Sequence, residues 1–532
     1  MFKNLKTKRA VGVMLLLCVL LLVGCGGKES NDNNNSVGGA SSNSTQLSTS
    51  KGDGGSNNNY ELIKASIYID SSVSSSIEEP SAIYINDKRS AEMPGYVQNG
   101  YKSLDGTKVI LLVQEKYGYN AKGTYTLYNQ DGAVIAEEVT SARLSLNGEA
   151  IVYLANVNYD PDPFIPTTGD LILYSNGATT VVVEEIDFGS FSISPDGKAV
   201  TYTVWNPDAV NYDSYYYYAG VTDSLETGCI ASGISNEAEY IYYTGEDRCM
   251  YILTRGGAAK KVSDGYLTSF ASNKDFTEVI FSESTSDTLY LSKNGGERIA
   301  LEGGRFERLI TPYNTAHDDE LGVVGVKTFA DTFYTNGNSV YYINESYETR
   351  LVDRIVNSDQ VFLADDGKTL TYYSVIPPEP EDTAVYFYGG LTAILQINGK
   401  DPNSEPATFA ENIGQPRNIV ATTDGKAVFY ADYSEGLLFQ KGKGDPKQVS
   451  GITYFAKDKY ALFDGDKLFF ADGDGVFVSD GGEGKAVNGI TGDFSIDFVG
   501  ATQHGIMLAG QEADGTTQVY YSTDGKSFKL VS

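Results

Sequence analysis

The 532-residue chain has little of what most catalytic chemistry draws on. It contains two histidines, His317 and His504, and no Gly-x-Ser-x-Gly segment occurs anywhere. Nucleophilic hydrolysis needs an activated nucleophile beside a base, commonly a histidine, so this sequence offers it few residues. The same scarcity argues against a histidine-centred metal site. Positive charge is also short: 40 Lys and Arg stand against 70 Asp and Glu, a formal net charge of −30. Such a surface repels phosphate backbones and makes nucleic acid a poor partner. There is a single Trp and only four Cys. What the chain has instead is 39 Tyr and 57 Gly in a composition that is 41% hydrophobic. Aromatic and β-branched residues favour pleated, half-buried surfaces, and glycine favours turns, so an all-β fold is expected.

Residues 1–24 carry Lys3, Lys6, Lys8 and Arg9, then an apolar run from Val11 to Val23 that ends Leu22-Val23-Gly24-Cys25. The run is short for a spanning helix and has signal-peptide anatomy. Its end resembles the lipobox of bacterial lipoproteins. The resemblance implies cleavage before Cys25, lipid on the Cys25 sulfur, and two-chain anchoring in a bacterial cell membrane. Residues 25–59 are Gly, Ser and Asn with scattered charges, too poor in apolar surface to fold, and read as a tether. Gly26 rather than Asp follows Cys25, and the long tether is similar to those of lipoproteins in single-membrane envelopes. Of the remaining cysteines, Cys18 falls in the leader. Cys229 and Cys249 are an even pair in a chain that reads as exported, which permits a disulfide; two buried free thiols are the alternative.

From Tyr60 to Ser532 one phrase recurs. Its fullest copy is Ser194-Pro195-Asp196-Gly197-Lys198 leading into Ala199-Val200-Thr201-Tyr202-Thr203, a tight turn followed by a strand. Variants start at Ser103, Ser145, Ser235, Ser272, Thr335, Asp365, Thr423 and Asp464. Many are followed by a second strand ending in an Asx-Gly turn, as at Asn129–Gly132, Asn176-Gly177 and Asn294-Gly295, which signals hairpins. Each unit is an antiparallel meander, recurring at roughly 30 to 60 residues, that must stack on its neighbours to bury its faces.

The phrase resembles the TolB-like, WD-repeat-related β-propellers, whose blades are similar to those of prolyl-oligopeptidase-type enzymes. The resemblance implies four-stranded antiparallel blades, in a single ring of about 7–8 blades or two smaller rings in tandem, since about ten anchors exceed one ordinary ring. The last unit reads as lacking a fourth strand, which residues Tyr96 to Lys102 would supply. Repeats running to the C-terminus leave no room for the hydrolase half of the oligopeptidases.

Irregular stretches at 155–169, 205–214, 312–336 and 377–384 read as insertions on a face of the scaffold, where recognition tends to sit. Trp205, Tyr212 and Tyr215-Tyr216-Tyr217-Tyr218 lie in or beside one of them and are the candidate ligand-contact aromatics, although strand alternation would send half of that run inward. Carboxylates cluster at Glu78-Glu79, Asp318-Asp319-Glu320 and Glu379/Glu381/Asp382, where solvated charge is the simpler reading. Asp464-x-Asp466 and Asp472-Gly473-Asp474-Gly475 resemble calcium loops without the full EF-hand spacing, so calcium is an option and no cofactor is expected. Ser522-Thr523-Asp524-Gly525-Lys526-Ser527-Phe528 is similar to the Asp-box of sialidase-type propellers, a structural turn. The expectation is a lipid-anchored, extracytoplasmic propeller that binds a protein, a peptide or a cell-wall glycan without catalysis. The rival is a glycan-acting hydrolase or lyase with carboxylates at the channel mouth.

Overall fold

A computed structural model describes residues 59–532 except 71–79, 115–123, 160–165, 188–189, 207, 209–210, 228, 356–357, 377–390, 412, 414–418, 433, 455, 457–458, 474, 491–494 and 513–514. Residues 1–58, where the leader, Cys25 and the tether are expected, lie outside the described residues. No described helix is long and apolar enough to cross a membrane.

The described strands form eleven sheets. In chain order they span residues 67–89, 96–139, 141–187, 191–227, 230–261, 267–301, 308–354, 361–411, 419–450, 460–486 and 495–530, here blades 1 to 11. Blade 1 has three strands, and blades 2 to 11 each contribute four, called a to d along the chain. All are antiparallel meanders. Strands b are buried almost throughout, as in Val109–Gln114, Glu278–Glu283 and Ala427–Asp432, because a blade covers each face. Strands d carry the exposed edge with charge, as in Ala259–Lys261 and Lys529–Leu530, which discourages further pairing.

Packing is cyclic. Ile83 and Val97 join blade 1 to blade 2, and Leu112 and Leu144 join blade 2 to blade 3. The same pattern continues along the chain to blades 10 and 11, which meet through Phe469 and Ile506. Blade 11 then packs on blade 1 through Met507 and Tyr521 against Ala82 and Tyr84. Strand alternation makes this possible: Ala82 and Tyr84 face blade 11 while Ile83 faces blade 2. The described strands therefore form eleven blades packed in a closed cycle, more than the seven or eight expected of a single ring. Nearly every turn phrase opens its own blade, joining strands a and b. The copy at Thr335–Asn338 is the exception and joins b to c of blade 7. The expected strand exchange is also absent: Tyr96–Lys102 is strand a of blade 2, and blade 11 has its own fourth strand, Lys529–Leu530.

Eleven blades exceed the usual four to eight of a propeller and enclose a wider axis. The chain fills it with its own segments. Residues 311–331, between strands a and b of blade 7, form a plug whose short strands His317–Asp318 and Val323–Val324 pair with each other. Val323–Val324 also adds in parallel to strand a of blade 6, Leu267–Asn273. Elsewhere the plug reaches blade 8, where Tyr313 stacks on Phe362 at 5.5 Å, and blade 3, where Glu320 meets Arg143 at 2.6 Å. The stretch expected as a surface insertion is thus the centre of the ring. Residues 59–66 lie against the plug as a strap, bridging Tyr60 to Val326 and Leu62 to Thr315.

Candidate functional site

The turn phrase is built from local hydrogen bonds. The Ser194 hydroxyl, wholly buried, donates to Asp196 Oδ1 (2.7 Å) and accepts from the Ala199 N–H (2.9 Å). Asp196 Oδ2 accepts the Glu237 N–H of blade 5 at 3.1 Å. Other turns touch in the same way: Leu104 N–H donates to Leu146 O, Asn147 N–H to Pro195 O, Asp365 N–H to Thr423 O, and Thr423 N–H to Gly465 O. These links place the a–b turns on one face of the ring. Strand b then carries the chain to the opposite face, where the b–c connections lie.

The turn face has two adjoining polar depressions. One, of about 560 Å³, is lined by Asp196, Lys198, Asn236, Glu237, Glu239 and Arg255. The other, of about 280 Å³, lies over the strap and includes Glu61, Asp105, Asn147, Asp196 and Lys274. Beneath the second, Ile63, Leu104, Leu146, Ala316 and Val323 form an apolar floor. Burial pushes the Glu61 carboxyl up, but Lys274 and Lys64 outweigh it and hold the group below its usual range. Asp105 is likewise raised by burial and lowered further by the Thr107 N–H and hydroxyl and by Lys64. Carboxylates held in this way stay ionised and are poor general acids. Among the described residues one carboxyl goes the other way: burial in the plug raises Asp318 above its usual range, against the Leu321 N–H and Lys102. The facing Lys102 is lowered by burial, against Asp318 and Asp319.

The opposite face carries the longest hairpins. Strands b and c of blade 3, Ala150–Tyr159 and Pro166–Ser175, have ten residues each, and those of blade 4, Ala199–Asn206 and Asn211–Tyr218, have eight. Strand b of blade 5, Tyr240–Thr244, has five. At 3.3 Å per residue the blade 3 hairpin extends roughly 17 Å beyond such a blade. Trp205 and Tyr212 are cross-strand partners at the far end of the blade 4 hairpin, about 20 Å from its turn phrase. Their rings meet edge-on at 5.0 Å, and both are half-buried. The tyrosine run is divided by alternation. Tyr215 and Tyr217 pack toward blade 3, whereas Tyr216 and Tyr218 pack toward blade 5. Tyr216 also donates to Asp223 Oδ2 at 3.0 Å, and Tyr218 lies 4.4 Å from the Arg255 guanidinium. That run is mostly wall; Trp205 and Tyr212 are its accessible end.

Other candidates separate. Cys229 and Cys249 are both buried, and they are not joined to each other. They precede strands a and c of blade 5, with strand b between them, since Ile230 and Met250 both pair with Thr244. Two strand spacings make about 10 Å, too far for a disulfide. His317 lies in the plug, with Nε2 3.3 Å from the Thr311 hydroxyl, and His504 in the a–b turn of blade 11. No group of three or more His, Cys, Asp or Glu able to hold a metal occurs among the described residues. Asp464 pairs with Lys467 at 2.7 Å in a turn, and Asp472 accepts the Ser450 hydroxyl. Asp474, Glu78, Glu79, Glu379, Glu381 and Asp382 lie outside the described residues. Asp524 caps its own turn: the Ser527 and Lys526 N–H groups hold it at about 2.

No family model matches the chain, and no curated protein does. Solved structures similar to it include a eukaryotic initiation factor, at 12% identity over 69% of this chain and 92% of that one, TM-score 0.40. TolB from Acinetobacter baumannii is 14% identical over 45% of this chain and 64% of that one, TM-score 0.26. The β-propeller domain of the Trilobed protease from Pyrococcus furiosus is 11% identical over 74% and 97%, TM-score 0.23. At such values the likenesses carry no argument about function. The propeller assignment stands on the sheets.

Proposed function

We propose that this protein is a lipid-anchored, extracytoplasmic binding module, held to the bacterial membrane through Cys25, that docks a cell-wall glycan on the face opposite the tight turns. The observation that carries the reading is the Trp205–Tyr212 pair at the tip of a long hairpin, a half-exposed aromatic edge of the kind that packs on sugar rings. The filled axis supports a face rather than a channel as the docking surface. An envelope protein or peptide is the next partner class for the same edge.

The enzyme reading has one observation in its favour, the raised Asp318 carboxyl beside Lys102. A glycosidase needs a second carboxylate across the bond, and Glu320 is instead paired with Arg143. The test is a pull-down from native envelopes with the folded body as bait. Trp205→Ala with Tyr212→Ala should abolish capture while a Val221→Ala control retains it; equal capture by both removes this edge from the reading.

A further inference from the structure

The strap does more than cover the axis. Residues 59–63 run between two parts of the plug and bond to both. On one side the Ile63 N–H donates to Asn314 O (2.8 Å) and the Ala316 N–H to Glu61 O (2.9 Å). On the other, the Glu61 N–H donates to Gly325 O (2.6 Å) and the Lys327 N–H to Asn59 O (2.8 Å). The Asn59 side chain adds a two-way clasp on the Thr328 backbone, accepting its N–H and donating to its carbonyl at 3.0 Å each. This is an extended peptide held by main-chain bonds from both sides, the recognition mode of strand addition.

Side-chain subsites accompany it. Ile63 is buried among Leu104, Leu146, Ala316 and Val323. Tyr60 packs against the cores joining blades 6 to 7 and 7 to 8. Between them Glu61 projects to Lys274 at 3.0 Å. The spacing is aromatic, acid, any residue, aliphatic. None of these contacts is needed to complete a blade, since blade 1 begins at Ile67.

We propose that the groove between 314–316 and 325–328 is a binding site for an extended peptide of this pattern, filled in cis by residues 59–63 and able to take the same segment from a second copy of the chain. The strap also places Asn59, the first described residue, at the axis and not at the rim. Exchange would therefore link two copies centre to centre.

The test uses the full chain and a fluorescent synthetic peptide of residues 59–66. Wild-type protein, its groove filled, should show no saturable binding. Ile63→Asp, which puts a charge into the apolar subsite, should expel the strap and bind the peptide at least tenfold more tightly than wild type does. A peptide carrying Glu61→Lys should then bind at least tenfold more weakly. Folded Ile63→Asp protein that binds neither peptide overturns the proposal, as does equal binding of both peptides. Should Ile63→Asp not fold, hydrogen exchange on full-length Glu61→Lys decides. Faster exchange confined to the Ala316 and Lys327 amides supports an exchangeable strap, and unchanged exchange there overturns it.

Discussion

Gly197 and Gly177 offer a matched pair for testing how the blades are joined. Both have positive φ, +74° and +76°, so an alanine at either strains the backbone by about 1–2 kcal/mol. They differ in what a new Cβ would meet. At Gly177, in the c–d turn of blade 3, nothing lies within 4 Å. At Gly197, in the turn phrase of blade 4, a Cβ would stand 2.4 Å from Ala150 Cβ of blade 3. Ala150 is wholly buried at the start of strand b, so relief requires the turn or the strand to move. Overpacking of this kind adds about 1–3 kcal/mol. Gly177→Ala should therefore lose about 1–2 kcal/mol and Gly197→Ala about 2–5 kcal/mol. Urea unfolding followed by circular dichroism gives the comparison, and hydrogen exchange on Ala150–Tyr159 shows whether the added loss falls at the joint between blades 3 and 4. Equal losses for the two variants would refute the claim that turn phrases are inter-blade contacts.

Ser194→Ala leaves the buried Ala199 N–H without its acceptor and should lose about 1–3 kcal/mol in the same urea assay. Asp524 is depressed in the folded state, so its contribution is present above the unfolded carboxyl range and is lost as pH falls from about 4 toward 2. Asp524→Asn should flatten stability against pH in that window in acid titrations; because the group is exposed, the change is small, and a steeper acid loss would contradict it. Cys229 and Cys249 should both be alkylated under denaturing, non-reducing conditions, and mass spectrometry showing a linked pair would contradict the strand geometry. Mass spectrometry of the native N-terminus should find lipid on Cys25, and an unmodified start elsewhere removes the anchor.

Much of the ring was legible because its repeat is written in local chemistry. Ser194, Asp196 and Gly197 each serve the turn they sit in, and the apolar run after them is strand b, covered on both faces. Alternation also foretold that Tyr215–Tyr218 would turn partly inward, and they pack to both sides. Blade count was harder. Blade 1 turns at Asn86-Asp87 without the Ser-Asx-Gly phrase, and Thr335–Asn338 imitates the phrase between strands b and c. The plug was illegible for a different reason: the pairing of Ser272 with Val323 joins residues 51 positions apart and leaves no local periodicity. The strap was read as the start of the body, yet the residues it bridges, Thr315 and Val326, lie more than 250 residues away. The two readings of the cysteine pair turn on register, which places strand b between the strands that Cys229 and Cys249 precede.

The role proposed for the Trp205–Tyr212 edge is binding without cleavage. Co-sedimentation with purified cell-wall sacculi, with the supernatant assayed for released fragments, tests both halves at once. Wild-type protein should sediment saturably, Trp205→Ala/Tyr212→Ala at least tenfold more weakly, and neither should release fragments. Sedimentation unchanged by the double substitution would contradict the site. Fragment release that disappears in Asp318→Asn would contradict the absence of catalysis.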